Sequence, residues 1–307
     1  MDQTFNLYCA AIYTNNYMPG QSLWDRMLPS EQQHFATLPN ILESYHYIYK
    51  GEYVRQIRDD GGKVFLDSGA FTAHTLGQEI ELGQYVSFIK KNEDIIRKEG
   101  DVLMAAVLDS IGDDYETYLN QKRMEAMGVT PVPCFHYGED TRYLDYYVAN
   151  YEYLSLGGLV GASSRVLQEW LDPIWEKHLV DGAGRPKLKV HAFGLTSVPL
   201  MQRYPWKSAD SSSWVQNTSF GSVMTTKYST ISVSAKSPSR QDKGQHISTF
   251  TKVERQHVEA HIREKGFDLE RLANEYPARA AYNVMAYKEL GETISCPKLQ
   301  KANVNIL

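Results

Sequence analysis

The sequence lacks the features that announce a membrane, secreted or nucleotide-cofactor protein. No run of eighteen apolar residues occurs in its 307 positions, so no transmembrane helix is expected. The N-terminal MDQTFNLYCA has neither the basic start nor the apolar centre of a signal peptide, which leads us to expect a soluble, cytoplasmic chain with no membrane partner. Cys9, Cys134 and Cys296 are isolated, without CxxC or CxC spacing. That argues against a disulfide framework and a cysteine-rich zinc site, and it fits reduced thiols. No predicted strand is followed by GxGxxG or GxxxxGK[ST], which speaks against a nucleotide cofactor. Neither a metal nor a cofactor is therefore expected. No internal repeat is found.

The net charge of −5 argues against a uniformly basic nucleic-acid coat, but it hides an asymmetry. From Lys207 onward 14 Lys and Arg face 10 Asp and Glu, whereas 18 face 27 before it. A basic surplus of this size is also common on ordinary solvated surfaces.

What is present is alternation. Strand-like runs at 5–13, 44–49, 63–67, 102–109, 130–136, 153–158, 188–194 and 206–210 are separated mostly by helix-like stretches, among them 81–99, 113–128, 139–150 and 163–180. Eight such units predict a (β/α)8 TIM-type barrel over residues 1–307 as a single catalytic domain, with an open doubly wound sheet as the competitor. The Ser/Thr-rich stretch 211–251, with Lys and Arg spaced through it, reads as a long loop or irregular hairpin, a nucleic-acid-facing insertion. Helices are predicted at 251–265, 268–275 and 277–290, making 252–291 a helical C-terminal region. In the last helix Ala278, Ala281, Val284, Met285 and Leu290 are spaced for one apolar face. Residues 292–307 read as a tail.

Polar residues fall where the strands end: Asp67, Asp109, His136, the Gly157-Gly158 pair and Asp210. In a barrel those ends share one mouth. Aspartate after a strand is also a common turn former or helix cap, and Asp109 in LDSIGDD is the most cap-like of the three. Two carboxylates in one pocket suit glycosyl transfer or glycoside hydrolysis, one attacking an anomeric carbon while the other moves protons. The glycine pair would let backbone amides approach a planar ring.

These residues also carry a resemblance. Leu66-Asp67-Ser68-Gly69-Ala70-Phe71 resembles the DSGGF element of the tRNA-guanine transglycosylases, and Leu156-Gly157-Gly158-Leu159-Val160-Gly161 resembles their LGGLAVG element. The strand ending at Asp109, the HAFGLTS strand at 191–197 and the strand carrying Asp210 follow in the family's order. The resemblance implies Asp210 as nucleophile and Asp67 as general acid/base. It implies base binding by Asp109, Ser68, Gly69, Gly157, Gly158 and His136, with stacking by Phe71 or Phe193.

The family's CxCxxC-plus-histidine zinc site has no counterpart after Asp210. Only Cys296, His246, His257 and His261 follow, and His257 and His261, four apart on a predicted helix, read more simply as surface histidines. Ala70 and Thr72 also depart from the family pattern.

The compact chain is more similar to the short, phage-encoded DpdA-type DNA-guanine transglycosylases, which exchange guanine in DNA for a 7-deazaguanine. The implied partners are DNA, with tRNA as runner-up, and a free 7-deazaguanine base such as 7-cyano-7-deazaguanine. A helper protein that opens the duplex has a place in this scheme. Lys227, Lys236, Arg240, Lys243 and Lys252 would supply phosphate contacts. A hydrolase using the same carboxylates and a non-catalytic nucleic-acid-binding module stay open as alternatives.

Overall fold

The computed structural model describes residues 4–299 apart from 226, 228 and 241, so the last part of the expected tail lies outside the described residues. Where a single domain is expected, the chain divides into two compact units: 1–14, 40–211 and 294–307 form the first, and 15–39 with 212–293 the second.

The first unit is mixed α/β. Its strands are β1 (Asn6–Ala10), β2 (Ile41–Ser44), β3 (Val64–Asp67), β4 (Lys98–Glu99), β5 (Val102–Leu103), β6 (Cys134–His136), β7 (Tyr153–Gly157), β8 (Lys189–Ala192) and β9 (Ser208–Ser211). Seven of them form one curled parallel sheet in the order β3-β2-β1-β9-β8-β7-β6, with helices in the connections. The two-residue β4 and β5 pair with each other as a separate antiparallel hairpin. The architecture is compatible with a TIM-like fold, but the expected ring of eight regular strands is not formed.

The missing strand has a local cause. The run expected to be a strand over 102–109 is broken where Ala105 N donates to Leu103 O at 2.9 Å, a three-residue turn. Beyond that turn the segment makes only isolated parallel bridges, from Ala105 to Leu66 and from Ala106 to Val132. Side chains then take carbonyls that a ladder would use. Tyr85 Oη donates to Ala106 O at 2.8 Å, Asn120 Nδ2 to Leu108 O at 3.0 Å, and Gln121 Nε2 to Pro131 O at 3.1 Å. Buried backbone groups are satisfied without regular pairing.

A second correction concerns 44–49. The strand lies earlier, at Ile41–Ser44, and Tyr45–Ile48 is a helical turn with Tyr45 and Ile48 buried. Their i, i+3 spacing fits that turn better than the strand period. Elsewhere cap residues start helices close to the predicted positions. Asp113 accepts from Glu116 N, Asp140 from Arg142 N and Ser163 from Val166 N.

Inside the curl a core cluster is built from Tyr8, Ala10, Leu42, Phe65, Met104, Ala106, Val132 and Tyr153. Strand side chains alternate faces, so residues two further along point the same way and form the next layer toward the C-terminal ends. Ser44, Asp67 and Cys134 stand two residues beyond Leu42, Phe65 and Val132, and His136 and Gly157 stand four beyond Val132 and Tyr153.

The second unit contains the stretch expected to be an irregular insertion. It holds the helix Ser213–Ser219 and an antiparallel hairpin of β10 (Ser222–Thr225) and β11 (Ser229–Ser232), followed by helices Lys252–Glu264, Leu269–Asn274 and Tyr276–Thr293. The last helix is buried almost all round, Arg279 and Asn283 included, where one apolar face is expected. Asn283 acts as a bracket: Oδ1 accepts from Met224 N at 2.7 Å, and Nδ2 donates to Thr218 Oγ1 at 2.9 Å and Ser222 O at 3.0 Å. The buried Glu31 carboxylate takes a two-pronged bond from Arg271, at 2.6 and 2.8 Å. Among the described residues no helix is long and apolar enough to cross a membrane.

Candidate functional site

Asp67, Asp109 and Asp210 all follow strand-like backbone at the C-terminal side of the curl, and their charges act on one another. Burial is the largest influence on Asp67, and the nearby Asp109 and Asp210 add to it. Together they push its carboxyl from the ordinary 3.8 up to about 7, although Gly69 N, at 3.0 Å from Oδ2, and the Ser44 hydroxyl pull the other way. Asp67 and Asp109 in turn add to burial in raising the Tyr85 phenol well above its usual range.

Asp67 sits on a tight corner that only glycine can complete. Gly69 has φ +78°, and a Cβ there would stand 2.5 Å from His46 Cβ and against Ser44 Oγ. Left-handed backbone and this clash together set the expected cost of Gly69→Ala at about 3 kcal/mol. Denaturant melts check this, and an unchanged midpoint would refute the steric account. Ser68 is buried and its hydroxyl accepts from Ala70 N at 3.3 Å, just ahead of the helix Ala70–Thr75, whose N-cap is Gly69. Phe71, on that helix, is 63% exposed, so most of its ring is in solvent. Phe193 is the stacking candidate that stays inside: its ring lies 4.5 Å from His191 and 5.6 Å from Phe65.

Asp210 is buried at the end of β9, and Oδ1 accepts from Gly194 N at 2.9 Å and meets His191 Nε2 at 3.2 Å. Behind it runs a chain: His191 Nδ1 to Ser208 Oγ at 2.7 Å, and Ser208 Oγ to Tyr153 Oη at 2.8 Å. Every bond is satisfied when Nε2 donates to Asp210, Nδ1 accepts from Ser208 and Ser208 accepts from Tyr153, so the ring's orientation is fixed. Oδ2 takes no part in these bonds.

The third group gathers at β6. His136 Nε2 lies 3.4 Å from Asp109 Oδ2 and 3.4 Å from Cys134 Sγ, while Nδ1 meets Glu139 Oε1 at 2.8 Å. Burial works against charge on the ring, but Cys134 and Asp109 outweigh it, and His136 holds its proton well above the ordinary imidazole range. Burial also pushes the Cys134 thiol up to about 11, so at neutral pH the carboxylate of Asp109 is the neighbouring charge that counts. Asp109 is not the helix cap its context suggests. That role falls to Asp113, and Asp109 Oδ1 is buried with no hydrogen-bond partner.

Gly157 makes room for this histidine and Gly158 for Tyr137. A Cβ on Gly157 would stand 2.8 Å from His136 Nε2, and one on Gly158, at φ +73°, would stand 3.0 Å from Tyr137 Cβ.

The expectation of no metal site meets a different finding. Asp109, Cys134 and His136 offer ligand atoms that all lie within 4.8 Å of one another. Sequence reading missed Cys134, although Cys134 and His136 share a strand face at i, i+2 spacing. It also missed His191, Ser208 and Tyr153, for which inward-facing polar residues on β7, β8 and β9 were the available signal. Glu139 carried no signal. His257 and His261 lie on the helix Lys252–Glu264, where His257 is exposed and His261 partly buried.

Lys227, Lys236, Arg240, Lys243 and Lys252 are all exposed in the second unit. Arg240 lines a cleft there with His246, Arg255 and Arg263, and Glu259, Asp268 and Glu270 share its walls. All three cysteines are buried and free. No protein-family model and no curated protein matches the chain.

Proposed function

We propose that the chain is a guanine transglycosylase acting on DNA, exchanging guanine for a free 7-deazaguanine base through a covalent nucleotide intermediate on Asp210. The observation that carries this reading is the trio of carboxylates at strand ends, in which Asp210 is held from behind by His191 and Gly194 while Asp67 is tuned to about 7 by burial and its two neighbours. A carboxylate fixed through one oxygen suits attack on C1′, and an acid/base poised near neutrality suits protonation of a departing base and deprotonation of an incoming one.

In this reading the isolated bridges of 104–107 to Leu66 and Val132 stand in for an eighth strand, so the curled sheet works as a (β/α)8 barrel with its mouth at the strand C-termini. Asp210 attacks C1′ and guanine leaves with a proton from Asp67. The incoming base loses its proton to Asp67 and displaces the carboxylate. Asp109, His136 and Phe193 form the base-binding wall. A duplex hides C1′, so the nucleotide is flipped out, at an unstacking cost of roughly a few kcal/mol. The exposed cations of the second unit make sequence-independent phosphate contacts that offset it.

The test is exchange of radiolabelled guanine into double-stranded DNA and, separately, into tRNA, each with wild type and Asp210→Asn. Label entering DNA only with wild type is the expected result. Entry into tRNA instead overturns the substrate and keeps the chemistry. Base released irreversibly with no label incorporated turns the reading to a hydrolase.

A further inference from the structure

The cluster at the end of β6 has the chemistry of a metal centre. Cys134 and His136 project from one strand face, and Asp109 reaches them from the neighbouring irregular segment. His136 Nε2 lies 3.4 Å from both Asp109 Oδ2 and Cys134 Sγ, and the three ligand atoms all lie within 4.8 Å of one another, close enough to converge on one small cation. We propose that Asp109, Cys134 and His136 bind one divalent transition-metal ion, zinc in the first instance.

Three further observations point to a ligand rather than to chance proximity. The imidazole nitrogen facing away from the cluster, Nδ1, meets Glu139 Oε1 at 2.8 Å, the outer-shell carboxylate that orients a metal-bound histidine and sharpens its basicity. Asp109 Oδ2, at 3.4 Å from Nε2, is the oxygen on the cluster, and Oδ1 is buried without a hydrogen-bond partner, so the carboxylate is held there at a cost that a bound cation would offset. Gly157 leaves the space beside the His136 ring clear, since any side chain there would displace Nε2 from the cluster.

The mixed sulfur, nitrogen and oxygen set selects the metal. A thiolate with an imidazole disfavours magnesium and calcium, which take oxygen ligands, and suits zinc. Binding replaces the proton on His136 Nε2 and the proton on Cys134 Sγ, so both are released to solvent as the ion enters. Three protein ligands leave a tetrahedral ion one open position. With Asp109 and His136 still partly accessible, that position is suited to a nitrogen or oxygen of a heterocyclic ligand.

The inference does not rest on the transglycosylase reading, because its readout is metal content. The purified chain is stripped with chelator, reloaded with Zn²⁺ and, separately, Co²⁺, and desalted. The expected result is one ion per chain and, with Co²⁺, a near-ultraviolet thiolate-to-cobalt charge-transfer band. Cys134→Ser abolishes that band, and Glu139→Gln, which retains all three ligands, weakens Zn²⁺ affinity about 10- to 100-fold. If Cys134→Ser fails to fold, judged by circular dichroism, the Glu139→Gln titration decides alone. Failure of wild type to retain either ion overturns the proposal. So does retention unaffected by Glu139→Gln, or retention lost in His257→Ala/His261→Ala, which would move the ion to the other histidine pair. Metal binding without base exchange leaves this inference standing and removes the functional reading instead.

Discussion

Asp210→Asn is expected to abolish base exchange, by about 10⁴-fold or more, while leaving the fold intact. The substitution is chosen because it separates the two jobs of the carboxylate. Oδ1 accepts from Gly194 N and from His191 Nε2, and an amide oxygen can accept both bonds unchanged. The atom that changes is Oδ2, which becomes an amide nitrogen without the electron pair that would bond to C1′. Thermal melting should therefore stay close to wild type. A second readout sharpens the test: with DNA present and no incoming base, wild type should accumulate a covalent protein–DNA adduct that survives denaturing electrophoresis, and Asp210→Asn should form none. Exchange near the wild-type rate, or an adduct in the variant, would remove Asp210 as nucleophile.

How much of this was legible in the sequence follows from the range over which each signal acts. Parallel strands separated by helices were readable because hydrophobic periodicity and caps are local. The runs 63–67, 130–136, 153–158 and 206–210 contain β3, β6 and β7 and most of β9. The run over 102–109 was equally apolar and did not become a strand. Its carbonyls at Ala106 and Leu108 are taken by Tyr85 and Asn120, which lie on other elements and become neighbours only after folding. The Tyr45–Ile48 turn was misread because four residues support either period equally well.

The site divides in the same way. That Asp67, Asp109, His136 and Asp210 lie at strand ends was readable. That His191 stands behind Asp210, with Ser208 and Tyr153 behind it, required three strands to be adjacent and in register: His191 pairs with Ser208 across β8 and β9, and Tyr153 reaches Ser208 from β7. Gly157 shows the limit from the other side. The glycine pair reads as room for close approach, and only the fold shows that the His136 ring is one of the groups lying against Gly157, where a Cβ would stand 2.8 Å from Nε2.

Asp67→Asn is expected to lower exchange by about 10²- to 10⁴-fold and, at the same time, to make the protein more stable at pH 8. The two effects have one cause. Burial, with Asp109 and Asp210 adding to it, raises the Asp67 carboxyl from 3.8 to about 7, so the folded chain holds a proton that the unfolded chain releases. In that window the native state binds more protons than the unfolded one, and stability falls as pH rises. The contribution is fully present below about 4, is lost as pH climbs through 7 and stays lost above it. At 1.36 kcal/mol per pH unit the shift amounts to about 4 kcal/mol, and relaxation around the partly exposed carboxyl brings the expected gain at pH 8 to roughly 2–4 kcal/mol. Asparagine is neutral at every pH and keeps the acceptor for Gly69 N, so it escapes this cost. Glu43, pushed up to about 7 mainly by burial, titrates in the same window, and part of the slope therefore remains in the variant. Denaturant unfolding of both proteins from pH 4 to 8 is the measurement. The curves should meet near pH 4 and separate as pH rises, with the variant on top. A constant gap, or a variant less stable at pH 8, would show that Asp67 is not held protonated by burial and its neighbours. Its assignment as a neutral-pH proton shuttle would then fall with it.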